Sequence, residues 1–324
     1  MKIFKEATVD TCIIQIKKGY VDNCKIQVNN EYYLNQNRLS NDIWSFTNPK
    51  ILNLKDKIIN KSILIKDLKI EMKYGLKTGF NKAYVIDYET YNNFISLNKN
   101  NKQIIKPILK GTDIDKFKIE FKNRYIIIVK HWHGLELKEN YPDIYNYLIQ
   151  YEEKLKQRGQ VKNGQHHWLD LDNNVTQDYL NYFDCNKIIW QRVCKEPNFA
   201  IDFDKHCVLD SMAFLTSEDT ELLYYLLAIL NSKLIKWYLK LIGHKYGKTG
   251  FLVSNQYVKK LPIPNTTSIE KQDLIDLSKK IIKYMKEPNK NKIYLNRLYN
   301  ELNYKIYTIY NLNDSEITLI NDSV

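Results

Sequence analysis

Arginine and cysteine are scarce in this chain of 324 residues, and several catalytic motifs are missing altogether. The five cysteines are odd in number and show no Cys-x-x-Cys spacing, which argues against a disulfide framework and indicates reduced thiols in a cytoplasmic protein. No Gly-x-Gly-x-x-Gly run occurs, so the sequence lacks a dinucleotide-binding fingerprint. No Ser/His/Asp arrangement stands out, and the sequence therefore offers no evident catalytic triad.

Long hydrophobic runs are also missing. The most apolar stretch, residues 222–230, is interrupted after nine residues and is too short to cross a bilayer, so it predicts a buried helix. Met1 is followed by Lys-Ile-Phe-Lys-Glu rather than by the apolar segment of a signal peptide. The sequence therefore predicts a soluble, cytoplasmic protein without a membrane partner.

The charge is strongly one-sided. The formal net charge is +12 and the pI is about 9.1, a balance that favours a polyanionic partner because bound lysines release the counterions of phosphates. Nearly all of the basic residues are lysine, and an AT-rich genome also produces abundant Lys, Asn, Ile and Tyr. Charge alone therefore leaves a nucleic-acid partner and a purely compositional origin equally open.

The pattern of apolar residues predicts an α+β fold, a mixed strand/helix domain followed by a helical C-terminal appendix. Runs rich in β-branched and aromatic residues predict strands at 7–17, 104–109, 117–121, 124–129, 188–192, 199–203 and 206–209. Helical periods predict helices at 142–158, 222–242 (as one helix or two), 269–286 and 291–310. Residues 74–81 contain two glycines between strand-like runs, which predicts a hairpin turn.

A nuclease is one alternative suggested by the residues. Pro142 and Asp143 are followed by Glu152, Glu153 and Lys154, and such carboxylates with a lysine can hold Mg²⁺ and activate water. All of these residues fall on one predicted helix, whereas that chemistry usually places its carboxylates on adjacent strands. The sequence therefore disfavours a nuclease site.

The histidines suggest a second alternative, a metal centre. They cluster in His131-Trp132-His133 and His166-His167-Trp168, but neither cluster has the i, i+4 spacing of a helical pair, and the cysteines lie far away. No metal site is predicted on this basis. Packing of the two Trp residues, or stacking of these rings on nucleic-acid bases, explains the clusters better.

An ordered set of short motifs resembles a known family, the TaqI-like C-terminal specificity domain of type IIG restriction enzymes and adenine-N6 DNA methyltransferases. The stretch Tyr-Gly-Leu-Lys-Thr-Gly-Phe-Asn-Lys-Ala-Tyr-Val-Ile-Asp at 74–87 begins the likeness. Further matching pieces follow in order at 104–117, 141–159, 167–168, 230–232, 261–264 and 302–317. Residues 6–17 resemble the last strand of the methyltransferase domain that precedes this module in the family.

The resemblance implies a target-recognition domain at 28–265, preceded by a remnant of methyltransferase strands at 1–27 and followed by a helical region at 266–324. The family's glycine-rich S-adenosylmethionine loop and its Asn-Pro-Pro-Tyr motif do not occur in this sequence. We therefore expect no cofactor in this chain, with S-adenosylmethionine and Mg²⁺ needed only in separate catalytic domains. The expected partners are double-stranded DNA and a DNA methyltransferase or endonuclease subunit.

Two other functions stay open at this point. The chain is also consistent with a fragment of an adenine-specific methyltransferase or type IIG restriction enzyme whose catalysis needs a separate polypeptide. A third function class is an interaction protein whose helical tail binds a catalytic partner and whose core contacts no DNA bases.

Candidate DNA contacts are polar or planar side chains on predicted loops next to glycine, where a backbone can approach DNA closely. In the two-glycine turn, Asn81 is suited to pair with adenine and Lys77 with guanine. A Gly243-to-Thr249 segment resembles a phosphate-binding loop but has one residue too few between its glycines, so it is interpreted as a flexible basic loop. The complete set of predicted contacts is Lys77, Thr78, Asn81, Lys82, Lys110, His167, Trp168, Arg192, Lys245 and Lys248.

Overall fold

The computed structural model describes residues 14–16, 18, 19, 24–28, 31–39, 47–247 and 250–323. The chain divides into two compact units, Met1–Asp56 and Lys57–Val324. The first unit contains a two-stranded antiparallel hairpin, and the second contains the main core. The boundaries predicted at residues 27 and 265 stay predictions.

Short strands and helices alternate along the chain. The strands are β1 (Lys25–Val28), β2 (Tyr32–Asn35), β3 (Ser62–Leu64), β4 (Glu71–Tyr74), β5 (Val85–Ile86), β6 (Ile105–Leu109), β7 (Ile114–Asp115), β8 (Lys118–Ile119), β9 (Tyr125–Ile127), β10 (Lys187–Gln191), β11 (Val193–Cys194), β12 (Phe199–Asp202), β13 (Cys207–Val208), β14 (Met212–Thr216), β15 (Lys245–Tyr246), β16 (Gly250–Leu252) and β17 (Pro262–Pro264). The helices are α1 (Pro49–Asn60), α2 (Asn81–Tyr84), α3 (Tyr88–Leu97), α4 (Leu137–Asn140), α5 (Pro142–Leu148), α6 (Glu152–Lys156), α7 (Gly159–Lys162), α8 (Gln177–Asn181), α9 (Thr220–Leu230), α10 (Lys233–Ile242), α11 (Asn255–Val258), α12 (Ser268–Met285), α13 (Lys292–Ile309) and α14 (Asp314–Asp322). This mixture of helices and strands confirms the α+β prediction.

Two four-stranded sheets provide most of the core. The first has the order β12-β10-β14-β4 and is antiparallel throughout. The second has the order β13-β6-β9-β5, in which only the β13–β6 pair is parallel. Ile108 and Ile126 from the second sheet share one hydrophobic cluster with Ile189 and Phe214 from the first. Every residue of β14 is buried, and four of its five residues are apolar.

The helix pair α9–α10 begins where the sequence offers capping side chains. The Asp219 side chain accepts a hydrogen bond from the Leu222 N–H at 3.1 Å, and the Ser232 hydroxyl accepts one from the Ile235 N–H at 3.2 Å. Between the two helices, the Asn231 amide bonds both backbone groups of Phe199, at 3.1 and 2.9 Å. The Leu-Asn-Ser motif at 230–232 therefore joins the helix pair to the first sheet.

The C-terminal helices pack against this helix pair. Helix α12 starts with a reciprocal capping box between Thr267 and Glu270, and it lies along α9. The Lys279 ammonium lies 2.8 Å from the Glu221 carboxylate across these two helices. The two C-terminal helices predicted from the three- and four-residue spacing of leucines and isoleucines are confirmed as α12 and α13. Among the described residues, no helix is long and apolar enough to cross a membrane.

The structure corrects several local predictions. Residues 74–81 do not form a hairpin turn, because β4 and β5 belong to different sheets and Asn81 begins the short helix α2. The helix predicted at 142–158 is broken into α5, a 3₁₀ turn and α6, and a new short helix begins at Gly159. Residues 7–13 and 17 of the predicted N-terminal strand lie outside the described residues, and residues 14–16 form no strand.

Candidate nucleic-acid interface

The segment 74–82 leaves the edge of the first sheet and is held by close backbone packing. A Cβ atom on Gly75 would lie 2.1 Å from the Leu209 carbonyl oxygen, so only glycine fits there. Gly79 has a φ of +70°, and a Cβ atom there would meet the Arg158 side chain at 2.5 Å. Both glycines therefore serve packing inside the protein, rather than close approach to a ligand as the sequence suggested.

A buried arginine joins this segment to the loop 168–170 and to the end of helix α6. Arg158 donates from Nη1 to the carbonyl oxygens of Thr78 and Asp170, both at 2.9 Å, and from Nη2 to the Trp168 carbonyl at 2.6 Å. Its Nε donates to the Leu155 carbonyl at 3.0 Å. The planar fork of guanidinium donors suits such a set of carbonyls. Arg158 therefore fixes the position of the loops that carry the predicted contacts, a role the sequence analysis did not assign to it.

A buried carboxylate organises the neighbouring turn in the same way. Asp170 is fully buried and accepts hydrogen bonds from the backbone N–H groups of Trp132, Gly134 and His167, at 2.8, 3.0 and 3.0 Å. Trp132 has a φ of +61°, and its indole is about half exposed. Asp170 therefore holds the turn 131–134 beside the loop 166–170 with an aromatic ring on the surface.

Lysines lie beside the loops that Arg158 and Asp170 hold. The Lys77 ammonium pairs with the buried carboxylate of Asp172 at 2.7 Å, so its charge is partly balanced within the protein. The Lys156 ammonium lies 5.8 Å from the centre of the Trp168 ring. Lys82 is exposed on α2. Aromatic rings and ammonium groups are therefore neighbours here, as nucleic-acid surfaces require.

Thr78 and Asn81 act as a pair. The buried Thr78 hydroxyl donates to the Asn81 side-chain oxygen at 2.7 Å, while the Asn81 side chain is otherwise exposed. The Asn81 side-chain oxygen faces Thr78, and the amide N–H₂ group takes no part in this bond. Thr78 is too buried to contact a ligand itself, so its role is to orient Asn81.

A second group of predicted residues lies around Arg192. Its Nη1 donates to the Asp210 carbonyl at 2.6 Å, and its guanidinium stacks 4.4 Å from the centre of the Tyr74 ring. Lys110 is close by, because the adjacent Gly111 packs against the side chain of Gln191. Arg192 is thus partly occupied by protein contacts, and Lys110 is the more available cation.

The hairpin β15–β16 pairs with β11, directly after Arg192. The Lys245 backbone belongs to β15, whereas its side chain and the whole of Lys248 lie outside the described residues. The two groups of predicted residues meet through residues 74–78, since the Asp210 N–H bonds the Leu76 carbonyl at 2.9 Å. We call this region, from Lys110 and Arg192 through 74–82 to 166–172, the loop face.

Burial controls the charge of His167 on the loop face. Desolvation lowers the pKa of His167 below its usual 6.5, and it outweighs the opposing effect of the Asp170 carboxylate. His167 is therefore neutral at pH 7 and offers a ring face and hydrogen bonds rather than a positive charge.

A pH-dependent loss of stability follows. Because the unfolded chain binds a proton at His167 more readily than the folded protein, stability falls as the pH drops below about 6.5. We expect His167→Gln to lose less free energy of unfolding than the wild-type protein between pH 7.5 and pH 5.5, measured by urea denaturation. Equal losses in the two proteins would show that burial does not set the protonation of His167.

Comparison with known proteins places these residues in a family context. Residues 106–263 match the TaqI-like C-terminal specificity domain. The type II methyltransferase M.MjaIV of Methanocaldococcus jannaschii is 24% identical over 229 residues, which cover 69% of this chain and 74% of that protein.

Two solved structures are similar. The type IIL restriction–modification enzyme MmeI, solved in complex with DNA, superposes with a TM-score of 0.58 and 10% identity over 81% of this chain. The type IIG restriction endonuclease BpuSI superposes with a TM-score of 0.39 and 11% identity over 80% of this chain. This chain spans about a third of the length of each, 36% and 33%. The likeness to the first concerns the fold.

Proposed function

We propose that this chain reads DNA sequence on behalf of a restriction–modification system, since residues 106–263 match the TaqI-like C-terminal specificity domain. The observation that carries the proposal is the loop face, where an oriented, exposed amide lies among lysines and aromatic rings. The buried groups of Arg158 and Asp170 hold this face in position. Preorganised polar groups on a fixed scaffold are what base recognition needs.

The proposed division of labour on the loop face follows from the chemistry of each side chain. Lysines such as Lys82 and Lys110 neutralise phosphates, which positions the protein without reading sequence. Asn81 reads a base edge in the major groove, because its amide offers one acceptor and one donor to adenine. Trp168 and His167 contribute ring faces beside the backbone.

Catalysis belongs to another domain in this proposal. Adenine-N6 methylation, cleavage or both are carried out by a methyltransferase or endonuclease domain that binds S-adenosylmethionine or Mg²⁺. This chain recognises the target sequence, and the catalytic domain acts on the same double-stranded DNA. The relationship to M.MjaIV, a type II methyltransferase, supports this arrangement.

The test is a selection from random duplex DNA. The full chain is incubated with a library of random double-stranded sequences, bound molecules are recovered at about 150 mM salt, and the cycle is repeated before sequencing. We expect one defined sequence pattern to become enriched. Recovery of duplexes without any common pattern after several cycles would contradict the proposal.

Asn81 gives the first residue-level prediction. Asn81→Ala is expected to lose about 1–3 kcal/mol of discrimination at a single A·T pair of the selected site, with little change at other positions. Thr78→Val, which removes only the orienting hydroxyl, is expected to lose a smaller part of the same preference. The measurement is competition binding with duplexes substituted one base pair at a time. A uniform loss across all positions would assign Asn81 to the phosphates instead.

The lysines of the loop face give the second residue-level prediction. Lys82→Ala and Lys110→Ala are each expected to weaken binding about equally for all sequences and to reduce the slope of log affinity against log salt by about 1. Lys280→Ala, an exposed lysine on α12, is the matched control and should leave the slope unchanged. If the control reduced the slope as much as the two variants, the lysines of the loop face would contact phosphates no more than other surface lysines do.

A further inference from the structure

Two histidines that are distant in sequence meet beside Asp170. The rings of His131 and His166 lie with their centres 4.7 Å apart. One ring nitrogen from each histidine and one carboxylate oxygen of Asp170 all lie within 4.8 Å of one another. The sequence spacing did not predict a metal site, and the fold supplies the convergence that the spacing lacks.

His131 has a ring nitrogen without a function in the protein. Its Nδ1 is buried, accepts or donates no hydrogen bond, and lies 3.9 Å from the Asp170 carboxylate. A buried polar atom without a partner is uncommon and needs an explanation. The rest of the His131 side chain is about a quarter exposed, so the cluster lies close to the protein surface.

His166 is held as a metal-binding histidine would be. Its Nδ1 lies 2.9 Å from the Leu171 carbonyl oxygen, so Nδ1 carries the proton and donates it there. Its Nε2 then has a free lone pair, yet it faces the Asn174 side-chain oxygen at 2.9 Å, a second acceptor. A histidine that donates one N–H to a backbone carbonyl and presents its other nitrogen is the usual arrangement around a metal ion. Either a second proton or a metal ion on Nε2 relieves this contact between two acceptors.

Asp170 provides the negative charge. Its carboxylate is fully buried, and three backbone N–H groups fix its orientation. In the part of the chain that the structure describes, no lysine or arginine lies within ion-pair distance of this carboxylate, since Arg158 bonds only the Asp170 backbone carbonyl. A buried carboxylate without a cationic partner favours a bound cation.

We propose that His131, His166 and Asp170 bind a divalent transition-metal ion, with Zn²⁺ as the best match. Imidazole nitrogen and carboxylate oxygen are ligands that Zn²⁺ prefers, and the Asn174 amide oxygen is placed to complete the set. The ion fastens the turn 131–134 to the loop 166–174 and so stiffens one end of the loop face. Its role is structural.

A second cluster of potential metal ligands differs in its charge balance. Asp202, Asp204 and His206 also bring three potential ligands together. There the Lys187 ammonium lies 2.8 Å from the Asp202 carboxylate, and the His206 ring bonds the same carboxylate at 2.8 Å. That carboxylate already has its cationic partner, so the second cluster has no need of a metal ion.

The experiment measures metal binding by the full chain. The protein is stripped with a chelator, dialysed against excess Zn²⁺ and then against buffer, and its zinc content is determined by mass spectrometry. We expect about one ion per chain for the wild-type protein and for His133→Ala, an exposed neighbour outside the cluster. We expect the bound zinc to be lost in His131→Ala and in His166→Ala. The stripped protein loaded with Co²⁺ should show the visible absorption of a four-coordinate site.

His131→Ala is the deciding variant because the His131 side chain makes no hydrogen bond whose loss would unfold the protein. Zinc at a hundredfold excess over its dissociation constant should raise the Tm of the wild-type protein by about 3–5 °C and leave that of His131→Ala unchanged. Wild-type zinc content no greater than that of His131→Ala would overturn the proposal, as would equal loss in His133→Ala. Neither result depends on DNA binding, so the proposed function is tested separately.

Discussion

Arg158→Ala is expected to lower the free energy of unfolding by about 3–4 kcal/mol, the cost typical of removing a buried group with several hydrogen bonds. Four carbonyl oxygens each lose the hydrogen bond from Arg158, and those of Thr78 and Trp168 have no other donor among the described contacts. The side chain also packs on the ring of Tyr84, which leaves a cavity when it is removed. Urea denaturation followed by circular dichroism measures the change.

Arg158→Lys separates charge from geometry. A lysine ammonium keeps the charge but lacks the planar fork that bonds carbonyls in two loops and in α6 at once, so we expect most of the stability loss to persist. Arg297→Ala, an exposed arginine on α13, is the matched control and should change stability by less than about 0.5 kcal/mol. A loss below about 1 kcal/mol for Arg158→Ala would show that these loops are held by other contacts.

Lys187→Met is expected to cost about 3–5 kcal/mol, because it breaks a fully buried ion pair and leaves one charge behind. Both side chains are 0% exposed, and the Lys187 ammonium lies 2.8 Å from the Asp202 carboxylate and 2.8 Å from the Phe183 carbonyl oxygen. Burial alone would raise the pKa of Asp202, yet hydrogen bonds from His206 and Lys187 bring that pKa below its usual 3.8. The variant removes one of these opposing contributions.

The sign of the pH effect follows from the lowered pKa of Asp202. Its stabilisation is present above pH 3.8 and is lost as the pH falls through the lower folded-state pKa. The double variant Lys187→Met with Asp202→Asn removes both charges and should recover part of the loss, as measured by urea denaturation at pH 7. If the double variant were as unstable as the sum of the two single variants, the ion pair would not be the source of the effect.

Local patterns were enough to predict the helices and strands that are defined by the spacing of their own apolar residues. The helices α12 and α13 follow from apolar residues at helical spacing, and the strands β6, β9, β10, β12 and β13 follow from apolar runs. The strands β4 and β14 of the first sheet were not predicted. The hairpin predicted at 74–81 was wrong, because strand pairing depends on long-range contacts that a local pattern does not contain. Strand β4 pairs with β14, which lies far away in the sequence, and not with β5.

The candidate site was predicted only in part for the same reason. The pattern picked Lys77, Thr78 and Asn81 from one segment, and the structure makes a unit of Thr78 and Asn81. Arg158 and Asp170 were not picked, because their roles depend on hydrogen bonds between loops that are separate in sequence. The sequence did contain one signal for Arg158. Arginine occurs at only five positions in this lysine-rich chain, so an arginine marks a position where lysine does not serve.

We propose above all that this chain distinguishes one DNA sequence from others. The most direct measurement is the ratio of dissociation constants for the selected duplex and for a duplex of the same composition in scrambled order, at about 150 mM salt. We predict that the selected duplex binds at least about 10³-fold more tightly, the lower end for specific DNA-binding proteins. Equal affinity for the two duplexes would contradict the claim and would leave a basic protein that binds DNA only through its charge.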